Sequence, residues 1–162
     1  MEHTFAEGKV KAIIRHRIYV HVYLVPLMSE AARASELRYR RLFESTKDGI
    51  LILDAKTGMV VEVNPFLIEL LGYSHEAFLG KKIWELGFVK DIVANQDNFA
   101  ELQAKEYIRY DDLSLETSGG RRIEVEFISS VYLVSSLKVI QCTIRDITER
   151  KLAEARLKRI LS

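Results

Sequence analysis

Hydrophobic and polar positions repeat along this chain with a helical period at both ends and a strand period between them. From Ser29, the stretch Glu30-Ala31-Ala32-Arg33-Ala34 with Glu36, Leu37 and Arg38 consists of strong helix formers. It predicts a helix capped by Ser29 and ending near Phe43 or Ser45, ahead of Gly49. Ile50-Leu51-Ile52-Leu53-Asp54 is too short for a stable helix. With the Lys56-Thr57-Gly58 turn and Val60, Val61, Glu62 and Val63 it predicts a hairpin. Pro65 suits the first position of the next helix; Phe66, Leu67, Leu70 and Leu71 keep helical spacing, and Gly72 stops it. Single helical turns are expected at 74–78 and 83–86. A longer amphipathic helix is expected at 91–106, where Ile92, Val93, Phe99 and Leu102 recur among polar residues.

The remainder reads as three strands, 107–116, 122–134 and 137–147, with turns at Ser118-Gly119-Gly120 and Ser135-Ser136. In the second strand Ile123, Val125 and Phe127 alternate with Arg122, Glu124 and Glu126, so one face is expected to be wet. Helical texture returns at Thr148. Strands split by helical segments, with a hairpin on each side, predict an α+β fold: one antiparallel sheet with short helices on one face. Residues 1–28 form a leader of uncertain structure, in which Tyr19, Val20, Val22, Tyr23 and Val25 favour extended chain. Residues 29–45 form an N-terminal flanking helix, 46–148 the core and 149–162 a C-terminal helix.

Composition narrows the function classes. The 162 residues are 48% hydrophobic and 29% charged, which describes a packed domain and not a disordered chain. A net charge of +1 gives no electrostatic case for nucleic acid. The longest apolar run, 18–28, is short of the roughly 20 residues that span a bilayer, so no membrane insertion is expected. Cys142 is the single cysteine; it rules out an intrachain disulfide and fits a reducing cytoplasm, the expected setting, though it would also fit a bacterial periplasm.

Several short motifs then carry a resemblance. Residues 43–54, Asn64-Pro65-Phe66, Leu70-Leu71-Gly72-Tyr73-Ser74 with Glu76, Leu79-Gly80-Lys81-Lys82, and above all Asp146-Ile147-Thr148-Glu149-Arg150-Lys151 follow one another in this order. Together they resemble the PAS family of sensor domains, of the bacterial receptor or sensory-box type. The resemblance implies a five-stranded sheet enclosing a pocket, and a signal-input role in a sensor kinase or cyclase. Family members hold haem, flavin, small organic acids or nothing in the pocket, and the last motif leads to an output domain. No phosphoacceptor-histidine box or nucleotide-binding glycine loop follows here, so the output domain is expected to be absent from this chain.

Fold alone does not choose among these uses. The family's flavin photosensors carry a cysteine in a region that here reads Gly80-Lys81-Lys82-Ile83-Trp84-Glu85-Leu86, and its haem sensors a histidine on the longest helix, which has none at 91–106. No resident cofactor is therefore expected, which leaves an unidentified small ligand as an open alternative. Cys142 shares a strand face with Ile140 and Ile144, the place of a small buried hydrophobe. Asp111 and Asp112 are adjacent on a strand, point to opposite faces and make a poor metal site. Gly119-Gly120-Arg121-Arg122 is a basic hairpin turn and not a phosphate loop. No nucleophile–base pair stands out, and no enzymatic activity is expected. Strand parity and the family layout nominate Ile52, Trp84, Phe127 and Cys142 as pocket-facing. Asp146 and Thr148 are the expected relay to the C-terminal helix, with either an Asp146/Glu149 capping box or Thr148 itself as N-cap. Ala31, Ala34, Leu37, Leu152, Ala155, Leu157 and Ile160 are apolar positions on charged helices and suggest a homodimer through the terminal helices. A ligand-free dimerisation module and a haem- or flavin-bearing redox sensor are the alternative readings.

Overall fold

A computed structural model describes residues 27–89, 96–134 and 136–162. The leader at 1–26, the first part of the helix expected at 91–106, and Ser135 of the expected turn lie outside the described residues. The rest forms helix α1 (Glu30–Ser45), strands β1 (Gly49–Asp54) and β2 (Val60–Val63), helices α2 (Pro65–Leu71) and α3 (His75–Phe78), and two 3-10 turns (Ile83–Glu85 and Gly87–Val89). Helix α4 (Gln96–Ala104), strands β3 (Tyr107–Glu116), β4 (Arg122–Val134) and β5 (Leu137–Asp146), and helix α5 (Thr148–Leu161) complete it.

The strands make one antiparallel sheet in the order β2-β1-β5-β4-β3. The last strand therefore lies at the centre, beside the first. Directly opposed residues share a face. Leu51 stands opposite Cys142 and Leu53 opposite Ile140, while Phe127 stands opposite Ile144. All six are buried and belong to one core with Leu67, Leu71, Phe78, Ile83, Phe99 and Leu102 from the helical layer. The short helices exist to close this inner face. Asn64 caps α2 by accepting from the Leu67 N–H at 3.2 Å, and Gly72 ends it at φ 75°. Gly58, at φ 74°, lets the β1–β2 turn pass beneath Trp84; a Cβ there would sit 2.6 Å from the indole ring.

Helix α1 begins as the sequence predicts, with Ser29 Oγ accepting from the Ala32 N–H at 3.2 Å. Only Phe43 of its 16 residues is buried. Tyr39 stacks on Phe43, and its phenol is pushed up by burial and by Tyr132 and Glu62, which puts it over the outer face of the sheet. Helix α5 buries none of its 14 residues.

Three expectations are corrected. Ile52 opposes Gln141 and Glu62, so it lies on the outer face, away from Phe127 and Cys142; the apolar run 50–53 hides the parity because both faces of β1 are covered. Glu126, expected on a wet face, is only 2% exposed. It accepts from Arg109 Nη2 at 2.9 Å and lies 3.7 Å from Arg145 Nη1, so two guanidinium groups compensate its burial. Asp111 and Asp112 are not simple alternating strand residues. The register shifts between Tyr110 and Leu113, and Asp112 takes a left-handed φ of 61°, the mark of a bulge on an edge strand.

Candidate ligand cleft and helix junction

The inner face brings Phe127 and Cys142 together with Ser129, which stands directly across from Cys142. Burial pushes the Cys142 thiol up to about 12, and the neighbouring Ser129 hydroxyl offsets only part of that shift. The fully buried Ser129 Oγ meets no partner in full hydrogen-bonding geometry, so its contact with the thiol is a weak one. Tyr110 stacks on Phe127 at 6.2 Å. Trp84 packs on Phe99 at 5.5 Å, with Lys82 Nζ 5.1 Å above its ring, at the β1–β2 end of the core. Of the four nominated pocket residues, Phe127 and Cys142 share the inner face, Trp84 borders the same core, and Ile52 is behind the sheet. No group of three or more His, Cys, Asp or Glu among the described residues is placed to hold a metal.

A cleft of about 280 Å3 opens at the edge of this layer. Tyr73 and Phe88, whose rings stack 5.6 Å apart, face Ser114, Leu115 and Glu116 of β3 and Arg122 of β4. The sequence reading missed it. It depends on the 3-10 turn Gly87–Val89 meeting the rim of β3, a contact that local pattern does not encode.

The exit to α5 is a polar knot. Asp146 Oδ1 accepts from the Thr148 N–H at 2.9 Å and from the Thr148 hydroxyl at 2.6 Å. Thr148 Oγ1 in turn accepts from the Glu124 N–H at 3.0 Å, and the Ile147 N–H donates to the Glu124 carbonyl at 2.8 Å. Neither expected cap is the one found. Ile147 occupies the N-cap position, and Asp146 bonds two residues ahead in an Asx-type turn, so Thr148 is free to bind β4. Lys151, one turn further, donates to Glu124 Oε2 at 3.0 Å and pairs with Asp112 Oδ1 at 2.8 Å. The bulge in β3 thus presents a carboxylate to the outgoing helix. Ser114 donates to Glu124 Oε1, which closes the cluster. Its charges agree: the Ser114 and Lys151 bonds hold Glu124 below its usual range, Lys151 does the same to Asp112, and the two carboxylates raise Lys151.

A second polar hub serves α1. Asn64 is fully buried; its Nδ2 donates to the carbonyls of Phe43 (3.1 Å) and Asp48 (2.9 Å), and its Oδ1 accepts from the N–H of Ile50 (2.8 Å) and Leu67. Arg145 on β5 grips Asp48 with two bonds of 3.0 and 2.8 Å. Both flanking helices are therefore fixed to the sheet at their junctions, and away from them most of their residues are exposed.

A sequence model of the PAS domain matches residues 47–149, from the end of α1 to the first turn of α5. The chain belongs to the PAS domain family. The chain is 29% identical over 126 residues to a methyl sulfide methyltransferase-associated sensor of Methanosarcina acetivorans, and 26% identical over 137 residues to sporulation kinase E of Bacillus subtilis. The matches cover 78% and 82% of this chain but only 12% and 17% of those proteins. Among solved structures, the fold superposes on a PAS domain of an HTR-like protein from Haloarcula marismortui at a TM-score of 0.59, with 25% identity, covering 73% of this chain and 96% of that one. A domain of a sensory-box histidine kinase/response regulator from Geobacter sulfurreducens gives 0.57 and 28%, covering 74% and 100%. The matched region ends at 149, so Asp146 and Thr148 lie within it and Lys151 just beyond it. No helix among the described residues is long and apolar enough to cross a membrane.

Proposed function

We propose that this PAS domain is the cytoplasmic signal-input module of a larger signal-transduction protein, a sensor kinase or cyclase, and is not itself an enzyme. A small ligand or partner acts on the inner face or its cleft, and the sheet relays a shift in packing to α5. The observation that carries this reading is the knot at 146–151. It ties α5 to β3, β4 and β5 at one point and leaves the rest of the helix unsupported. A helix held only at its root changes direction when the root shifts, and a ligand drives that change only by preferring one of two packings. Asp146 and Thr148 are the relay residues.

The exposed apolar positions on α1 and α5 support a homodimer through these helices. Leu42 is 72% exposed and Ile160 80%, and they lie on helices of which one buries only Phe43 and the other no residue. Deleting residues 29–40 is expected to shift the light-scattering mass toward monomer; a monomeric parent would end this part of the reading.

A second reading, a ligand-free dimerisation module, is favoured by the inner face itself, where Phe78, Phe99 and Phe127 fill the space as fully buried side chains. Native mass spectrometry of the purified protein separates the two, since a co-purified small molecule supports the first. The relay is tested by fusing the domain to a reporter kinase and introducing Asp146→Ala and Thr148→Ala. Altered regulation with a nearly unchanged melt supports it. Regulation that survives both substitutions reduces the junction to a helix cap.

A further inference from the structure

We propose that the cleft between Tyr73, Phe88 and the β3 rim is a binding site for a free apolar α-amino acid. This rests on the sensor reading above and names the ligand class for one site within it. Glu116 and Arg122 are directly paired across β3 and β4, and both line the cleft. Among the described residues neither takes part in an ion pair or a side-chain hydrogen bond. The surrounding charges do the opposite: Asp48, Asp111, Asp112, Glu124 and Glu126 each have a cationic partner. An opposite-charge pair left open over an aromatic wall is complementary to a molecule that carries both charges itself.

The geometry selects among such molecules. Opposed residues on antiparallel strands have Cα atoms about 4.5–5.5 Å apart. Glu116 and Arg122 both leave the sheet on the face opposite Leu115 and Ile123 and meet the cleft at the β3 rim, so a ligand seated there reaches both when its ammonium and carboxylate share a single carbon. A plain carboxylate or a phosphate is repelled by Glu116 and a plain amine by Arg122, while a peptide terminus offers only one of the two charges. The stacked Tyr73 and Phe88 rings and buried Leu115 supply the apolar half. A volume of about 280 Å3 lies just below the usual range of ligand sites, roughly 300–1,000 Å3, and suits one amino acid better than a nucleotide or a larger ring system.

The cleft also has a route outward. Ser114 lines it and donates to Glu124, and Glu124 holds Lys151 on α5. The Arg122 charge reaches the same carboxylate and helps hold Glu124 below its usual range. A ligand carboxylate that draws Arg122 toward the cleft takes that charge away from Glu124.

The test is calorimetric titration of the full chain with L-leucine, 4-methylpentanoate and 3-methylbutylamine, and with valine, methionine and phenylalanine as further probes. The variants are Arg122→Gln and Glu116→Gln, exposed changes whose folding is checked by circular dichroism. Saturable binding of at least one of the amino acids is expected. Each substitution should weaken it by about three- to fivefold, the scale of solvent-exposed ion pairs, and added salt should weaken it too. For leucine, both single-charge analogues should bind more weakly than the parent. No saturable binding of any amino acid, binding indifferent to both substitutions, or 4-methylpentanoate binding as well as leucine overturns the proposal. Binding that leaves the Lys151 and Leu152 amide exchange rates unchanged supports the cleft and counts against the relay alone.

Discussion

Asn64 is where the attachment of α1 can be tested most severely. Replacing it with alanine removes four hydrogen bonds at once, two donated to the carbonyls of Phe43 and Asp48 and two accepted from Ile50 and Leu67. Loss of the α2 cap alone costs about 1 kcal/mol. The three other backbone groups lose partners inside the protein, at about 1–3 kcal/mol each where water is excluded. Ile50 and Asp48 are only partly buried, so water recovers some of that, and a net loss of about 3 kcal/mol is expected. Against a typical stability of about 5–15 kcal/mol this is a large effect from one polar side chain. Urea unfolding followed by circular dichroism measures it, with the midpoint falling and the slope unchanged. Asn64→Asp sharpens the case, because it keeps the two acceptor bonds and turns an anion toward two carbonyl oxygens. Its carboxyl is raised in the folded state, so the variant is expected to be closer to wild type at acid pH and to lose stability as pH rises through that value. A loss below about 1 kcal/mol for Asn64→Ala, or an Asp variant indifferent to pH, would refute the hub.

Other expectations follow from the same geometry. With its ionisation pushed to about 12, the buried Cys142 thiol should not react with a thiol-exchange reagent in the native protein and should react on unfolding; rapid native labelling at neutral pH would contradict its place in the core. The Lys151 latch has a defined pH window. Its carboxylates, held low, contribute above their ordinary values of 3.8 and 4.5 and cease as pH falls through their folded values; Lys151, held high, contributes below 10.5 and ceases as pH rises beyond it. The Lys151 side-chain resonances should therefore titrate above pH 10.5 and those of the Asp112 and Glu124 carboxyls below 3.8 and 4.5, and titration at those ordinary values would show that the latch is not formed. The protein purified without added cofactor should show no haem or flavin band, roughly 400–450 nm, and such a band would reverse the reading of the pocket.

Much of this architecture is legible in the sequence because local signals agree with the tertiary result. Ser29 and Pro65 start helices where expected, Gly72 ends one, and Gly58 turns the first hairpin. The alternation in β4 places Val125 and Phe127 correctly in the core. What the sequence hides is set by what covers each face. Ile52 cannot be assigned a side from a run of four apolar residues when both sides of β1 are shielded. Glu126 reads as a solvent residue until Arg109 and Arg145 arrive from neighbouring strands. The Asp112 bulge and the cleft at Phe88 are register and loop-placement effects, made by contacts distant in sequence. The relay motif at 146–151 is visible, but its wiring to Glu124 and Ser114 is not, because those partners come from other strands.

The central claim is that the sheet and α5 move together, and Ser114→Ala tests it most directly, since the Ser114 side chain reaches the helix through the Glu124 carboxylate that holds Lys151. Hydrogen exchange should be measured at the Lys151 amide, which donates to the Ile147 carbonyl at 3.0 Å, and at Leu152 beside it. Removing one charge-assisted bond of about 1 kcal/mol should speed exchange at both by about three- to fivefold while the midpoint of α5 is unchanged. Equal rates in Ser114→Ala and wild type, and again in Ser114→Ala with Asp112→Asn, which also removes the direct β3 contact to Lys151, would mean that β3 does not communicate with the outgoing helix, and the relay account would be wrong.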